Sequence, residues 1–329
     1  MTSGSSGGSA PSSGSDVPEA IGVDIGGTKV AALLVDTGGE VLDRTERATP
    51  RDDLEASIEP VVASARDVRS DNVAAVGIGA AGLVDFAAGA IRFAPNNAWR
   101  ETPLRDRVSE ALALPCLLDN DANAAAWAEY RFGAARGTRE LLCVAVGTGI
   151  GGGIVTGGRL LRGARGFGGE IGHTIVEPGG PRCGCGNEGC WEQVASGLAI
   201  QRLGRECARR DPSSGLAEMA DGDPERVTGR MVTGAARRGD PVAVGILAEV
   251  GRRLGEGIAG LINILDPELV VVGGGASEAG DLLLEPAREA SRSAVEGRGH
   301  RPEVPIVAAE LGNDAGAIGA ATLALEERA

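Results

Sequence analysis

LLCVAVGTGIGGGIV, Leu141 to Val155, decides the fold. Six apolar residues read as a buried strand, and Ile154 and Val155 open a second one. Between the two strands, five of the seven residues from Gly147 to Gly153 are glycine. A hairpin turn needs far fewer, so the backbone here must approach something closely, and a phosphate cradle is the reading that fits. The same design appears earlier in AIGVDIGGTKVAALLVD, Ala20 to Asp36. There a strand ends at Asp24, glycines follow at Gly26 and Gly27, and a second strand covers about Val30–Val35. A strand, glycine turn, strand unit used twice implies two α/β domains with a cleft between them.

The first unit can be only a hairpin turn, or a cradle in which Gly26, Gly27 and Thr28 meet a phosphate and Asp24 holds magnesium through water. Lys29, the one lysine in the chain, favours phosphate. A third run, VVVGGGAS (270–277), places Gly273, Gly274 and Gly275 after a buried strand. It fits a tight strand–helix turn or a platform for a nucleotide base; no Gly-Lys-Ser/Thr follows, so it is not a Walker A loop. A fourth segment, CLLDN (116–120), is a short strand running into Asp121 and a helix. Asn120 and Asp121 are both good helix caps, but a carboxylate at that place can also receive a proton in phosphoryl transfer. Further elements read as a third strand over 41–49, helices over 53–69, 102–113, 191–210, 241–266 and 313–327, and strands over 73–82, 268–277 and 303–309.

His173, Cys183, Cys185 and Cys190 fall within eighteen positions. Three soft thiolates and one imidazole among glycines suit a tetrahedral zinc site, and four protein ligands make it structural. Disulfides, or free buried thiols, are the competing readings. Residues 1–17 have no apolar core of a secretory signal, so a cytoplasmic chain with reduced thiols is expected. Those residues, rich in Ser and Gly, read as a disordered tail. Cys116, Cys143 and Cys207 stand apart as small core residues. Glu170 and Glu192 flank the cluster, which would fix two acids and an imidazole relative to one another.

The net charge of −14 argues against a nucleic-acid surface, and no apolar run reaches the length of a membrane helix. Aromatic residues are only 2% of the chain, so Ala, Val, Leu and Ile must fill the core.

Together these segments resemble the ROK family of sugar kinases and repressors. The resemblance runs from about residue 19 to the end. VGTGIGGGIVTGGRLLRGARGFGGEIGH (146–173) is similar to the family signature and continues into its zinc motif; DIGGTK, GIGAAGLVD (77–85), PNNAWR (95–100) and LLDNDANAAAWAE (117–129) match other family segments. Within the family, the chain looks nearest to the ATP-dependent glucokinases. The resemblance implies an α/β, actin-like (ribonuclease H-like) fold with an ATP–sugar cleft between two domains. The small domain would take 18–120 plus 312–329, and the large domain, with the zinc motif, 121–311.

It further implies that Asp121 is the base for the sugar 6-hydroxyl. Asn120, Glu170, His173 and Glu192 would bind ring hydroxyls, with Gly82 and Asn96 beside them. Asp24, Gly26, Gly27, Thr28 and Lys29 would serve magnesium and phosphate, Gly147, Thr148 and Gly149 the phosphates, and Gly273–Gly275 the adenosine. His173 would give one ring nitrogen to zinc and turn the other to the sugar. ATP, Mg2+ and structural Zn2+ are the expected cofactors, and a homodimer or homotetramer the expected assembly. Asn97 departs from the apolar residue of many relatives. Other hexoses, N-acetylhexosamines, a polyphosphate donor and a repressor role are the alternatives; a repressor would need a DNA-binding segment that residues 1–17 do not resemble.

Overall fold

The computed structural model describes residues 17–27, 29–49, 54–94 and 99–327. The expected tail through residue 16, Thr28, Asn96 and Asn97 lie outside the described residues. The first lobe contains β1 (Glu19–Ile25), β2 (Lys29–Asp36), β3 (Val41–Ala48), α1 (Leu54–Asp67), β4 (Val73–Ala80), β5 (Leu83–Asp85), β6 (Ala90–Phe93), β7 (Arg100–Thr102), α2 (Leu104–Leu112) and β8 (Cys116–Asn120). Helix α3 (Asp121–Arg131) follows. Then come β9 (Leu141–Val146), β10 (Ile150–Thr156), β11 (Arg159–Leu160), α4 (Glu192–Ala195), α5 (Gly197–Arg210), α6 (Gly215–Met219), α7 (Gly229–Arg237), α8 (Pro241–Leu265), β12 (Leu269–Gly273), α9 (Asp281–Ala294) and β13 (Ile306–Ala308), before α10 (Ala315–Glu326).

The two main sheets share one plan. The first runs β3-β2-β1-β4-β8 and the second β11-β10-β9-β12-β13. In each, an antiparallel hairpin is followed by two parallel strands. The glycine turns at 26–27 and 147–149 therefore occupy equivalent hairpins, and the strand–turn–strand duplication of the sequence is a duplication of whole sheets. Strands β1 and β12 are almost wholly buried, as parallel strands covered on both faces must be. Strand β3, Val-Leu-Asp-Arg-Thr-Glu-Arg-Ala, is an edge strand whose exposed charges block further pairing.

Glycine sets how closely the helices dock. A Cβ on Gly22 of β1 would lie 1.8 Å from the Ala317 carbonyl oxygen, and one on Gly77 of β4 would lie 1.8 Å from that of Ala320. Helix α10 therefore lies directly on the first sheet although it follows the second in sequence. Helix α3 packs between α10 and β10, where Gly319 meets the Ala124 carbonyl and Gly153 meets Ala126. Aliphatic side chains and alanines make the cores, as the composition requires, with Trp99 and Trp191 fully buried among them. The Trp191 indole N–H donates to the Arg253 carbonyl at 3.0 Å, which satisfies the one polar atom the ring buries.

One expectation is corrected, and several elements, α6, α7 and α9 among them, form in stretches to which no element was assigned. Leu83–Asp85, Ala90–Phe93 and Arg100–Thr102 likewise form a small antiparallel sheet, β5-β6-β7. The helix expected over 191–210 breaks at Ser196, where the backbone is extended. There the Gly197 and Leu198 N–H groups donate to the Gly147 and Thr148 carbonyls, so the start of α5 is tied to the glycine loop instead of continuing α4. Among the described residues no helix is long and apolar enough to cross a membrane.

Candidate active site

The loops rich in glycine and acid gather at the carboxyl ends of the parallel strands, where α/β sheets offer open backbone. In the first sheet Asp24 of β1 stands opposite Gly79 of β4, and Gly79 stands opposite Asp119 of β8. A Cβ on Gly316, in α10, would lie 2.9 Å from the Asp24 carboxyl carbon, so the side chain missing there makes room for that acid. Burial pushes the Asp24 carboxyl up to about 7; the Asp121 charge adds to this and Lys29 opposes it. Burial likewise raises Asp121, partly offset by its bond from the Ala122 N–H. Two neighbouring acids, each half-buried, make a place for a cation or a transferable proton. The Lys29 ammonium itself bonds Glu46 on the neighbouring edge strand at 2.7 Å.

Asn120, not Asp121, caps α3. Its Oδ1 accepts from the Ala122 N–H at 2.9 Å and the Asn123 N–H at 3.2 Å. Its Nδ2 donates to the Gly82 carbonyl at 3.3 Å. Gly82 has φ +115°, and a Cβ there would sit 2.4 Å from the Phe93 carbonyl, so glycine is required. With the cap supplied by Asn120, the Asp121 carboxylate at the first helical position remains available.

In the second lobe Gly274, at φ +82°, presses on the backbone of Val146, so the 273–275 turn abuts the 147–149 loop. A Cβ on Gly149 would meet the Glu192 carboxylate at 2.1 Å. Glu192 therefore connects that loop to the cysteine cluster. Its Oε1 lies 3.0 Å from the Cys183 sulfur and 3.8 Å from His173 Nδ1. Glu170 lies on the other side of the imidazole, 3.9 Å from Nε2. Burial raises the Glu170 carboxyl; His173 opposes this, and Asp121 and Glu192 add to it. Asp121, Glu170, His173 and Glu192 thus share one neighbourhood although they come from three separate segments.

The ligating atoms of His173, Cys183, Cys185 and Cys190 all lie within 4.8 Å of one another. A tetrahedral zinc with bonds of about 2.3 Å to sulfur and 2.0–2.1 Å to nitrogen spaces sulfurs about 3.8 Å apart and sulfur from nitrogen about 3.6 Å. Here Cys185 and Cys190 sulfurs are 3.6 Å apart, and the Cys183 sulfur is 3.6 Å from His173 Nδ1. The donor set fits zinc, with Nδ1 toward the metal and Nε2 toward Glu170. All six cysteines are unpaired, so the disulfide reading falls, and Cys116, Cys143 and Cys207 take no part in the cluster.

The ROK family pattern matches residues 20–327. The chain belongs to the ROK family. This ROK chain is 44% identical to the glucokinase of Streptomyces coelicolor over 309 residues, covering 93% of this chain and 97% of that one. It is 39% identical to the glucokinase of Thermotoga maritima, covering 93% and 97%. A solved ROK family glucokinase from Streptomyces griseus, in complex with glucose and AMPPNP, is 45% identical with a TM-score of 0.87, covering 94% and 99%. The fold of the ROK chain is accordingly actin-like, with the duplicated sheets described above.

Sequence reasoning found the glycine loops and the cluster but missed the groups that hold them. Asp119 is buried beneath Asn120, and Arg162 reaches it from the other lobe. An acid inside the apolar strand CLLDN was a signal for the first; Arg162, in a surface-like Leu-Arg-Gly run, gave none. A cavity of about 400 Å³ among α8, α9 and β13 contains none of the site residues, and its Arg288, Arg292 and Arg301 are each engaged by carboxylates.

Proposed function

We propose that the protein is a glucokinase that transfers the γ-phosphoryl group of ATP to the 6-hydroxyl of glucose. The observation that carries this reading is the meeting of a half-buried acid at a helix start, Asp121, with a wall of Glu170, His173 and Glu192. The glycine loops stand beside that wall. Asp121, its proton affinity raised by burial, accepts the hydroxyl proton as the oxygen attacks. Asn120, Glu170, His173 and Glu192 hold the ring hydroxyls, with Gly82 beside them; the family pattern would add Asn96. Gly147, Thr148 and Gly149 receive the phosphates and Gly273–Gly275 the adenosine. On the family pattern Asp24, Gly26, Gly27, Thr28 and Lys29 would serve the phosphate end, and Lys29 would have to leave Glu46 to reach it. Magnesium, when bound near Asp24, neutralises charge on the transferring phosphates. Zinc, when bound, fixes His173 Nδ1 and so orients Nε2.

The two lobes, 18–120 with 312–329 and 121–311, close on the substrates and keep water from the phosphoryl group. A cytoplasmic homodimer or homotetramer is the expected working form. The test is a coupled assay of the purified protein with ATP or polyphosphate against glucose, mannose, fructose and acetylated hexosamines. Glucose with ATP should give the highest kcat/KM, and Asp121→Ala should lose turnover while ATP binding persists. Preference for an acetylated hexosamine, or turnover retained without Asp121, overturns the assignment.

A further inference from the structure

Arg162 joins the two lobes next to the reacting centre. It follows β11, the edge of the second sheet, but its guanidinium leaves that lobe. Nε donates to Asp119 Oδ2 at 2.7 Å, Nη2 donates to Glu327 just beyond α10, and Cζ lies over the Phe86 ring, 4.0 Å from its centroid. Only 2% of the Asp119 side chain is exposed, and 19% of Arg162. The other Asp119 oxygen accepts from the Asn120 N–H at 2.8 Å and from Asn123 Nδ2 at 3.0 Å. The carboxylate held by Arg162 therefore also holds the strand end that carries Asn120 and Asp121.

The chain beyond Arg162 is docked on the same lobe. The Gly168 N–H closes back on the Arg162 carbonyl at 2.9 Å. Gly166, at φ +90°, sits so near β5 that a Cβ would lie 2.5 Å from the Val84 carbonyl. That loop leads directly into Glu170 and His173. One side chain thus anchors the segment that delivers the Glu170–His173 wall to the strand end that delivers Asp121.

We propose that Arg162 is a positioning residue that holds the sugar wall in register with Asp121 across the lobe boundary. The proposal rests on the reading of the site as a hexose kinase. A planar guanidinium can bond two carboxylates while its face lies on an aromatic ring; an ammonium cannot do all three. Buried ion pairs add little net stability, but an arrangement with several fixed partners selects one geometry, and misplacement of reacting groups by about 1 Å is costly to rate.

Two variants test it. Arg162→Lys keeps the charge but loses the fork and the ring contact. Arg162→Gln combined with Asp119→Asn removes both charges, so neither is left buried alone. Kinetics with glucose and with ATP as the varied substrate, and a thermal unfolding midpoint, are measured for each. We expect kcat/KM for glucose to fall roughly 10–100-fold in both variants, with KM for ATP near the wild-type value. A merely structural role would lower the midpoint and the active fraction and leave both KM values in place; that result overturns the proposal. So do wild-type glucose kinetics in a double variant with a wild-type midpoint. Glucose turnover by the unaltered protein in the same assay upholds the underlying reading; its absence overturns that reading, and the role of Arg162 with it.

Discussion

At the scale of the residue, the protein concentrates unfavourable electrostatics where the proposed chemistry lies. Asp24 and Asp121 are acids whose burial disfavours their charged forms, and each stands near the other. Such an arrangement costs stability and serves function. For Asp121 the sign follows from linkage. Its folded-state pKa lies above the unfolded value near 3.9, so the native state binds the extra proton. Stability from this group is then greatest at low pH and declines as pH rises toward the folded pKa. Asp121→Asn keeps an oxygen for the Ala122 N–H and removes the buried charge. The variant should lose turnover by roughly 10²–10⁴-fold, as loss of a general base does. It should also be more stable than the parent at pH 8, an advantage that vanishes below about pH 4, where both side chains are neutral. Urea unfolding of the two proteins across that range checks it; a less stable variant at pH 8 would show that the Asp121 charge is favourable in the fold.

At the scale of the element, the knot over 173–190 is short of ordinary structure. Its regular pieces are a three-residue 3-10 turn and two isolated bridges, Ile175 with Cys190 and Arg182 with Glu188. Gly179, Gly186 and Gly189 take positive φ, which lets the chain double back so that the four ligands converge. Turn bonds tie the loop together, among them Val176 N–H to the Gly189 carbonyl at 2.9 Å and Cys183 N–H to the Asn187 carbonyl at 2.8 Å, and a metal held by the four ligands would add the clip that fixes the imidazole beside Glu192. Chelation, or Cys185→Ala, should lower the thermal midpoint and raise KM for glucose roughly 10–100-fold, with a much smaller change for ATP. Metal analysis alongside the kinetics reads both effects. Unchanged glucose kinetics in zinc-free protein would reduce the knot to a staple of the fold. The same scale explains the broken helix at Ser196: a helix start was required where Gly197 and Leu198 meet the 147–149 loop, and local helix propensity yielded to those bonds.

At the scale of the whole molecule, the chain crosses from the second lobe back to the first through Ala309–Leu311, and one buried carboxylate governs that crossing. Glu129, in α3, accepts the N–H of Leu311 at 2.8 Å, of Ala134 at 2.9 Å and of Glu310 at 3.2 Å. An amide cannot accept all three, because one of its two heads is a donor. Glu129→Gln should therefore lower the free energy of unfolding by about 1–3 kcal/mol. A urea midpoint equal to that of the parent would show that the crossing is held by packing alone. Much of this architecture was legible from residues close together in sequence. Apolar runs with glycine turns reveal the two sheets, because strand periodicity and positive φ are local properties. The spacing of His173, Cys183, Cys185 and Cys190 reveals the cluster, because ligands on one short loop need little else to converge. The acids at 24, 121, 170 and 192 could be named, and the family resemblance groups them around one cleft, but no local pattern of residues does. Asp119 and Arg162 are 43 positions apart and Glu129 and Leu311 are 182, and no local pattern links them. Only the tertiary structure decides which charges lose their water and which charges become neighbours, because burial and proximity are set by packing between distant segments.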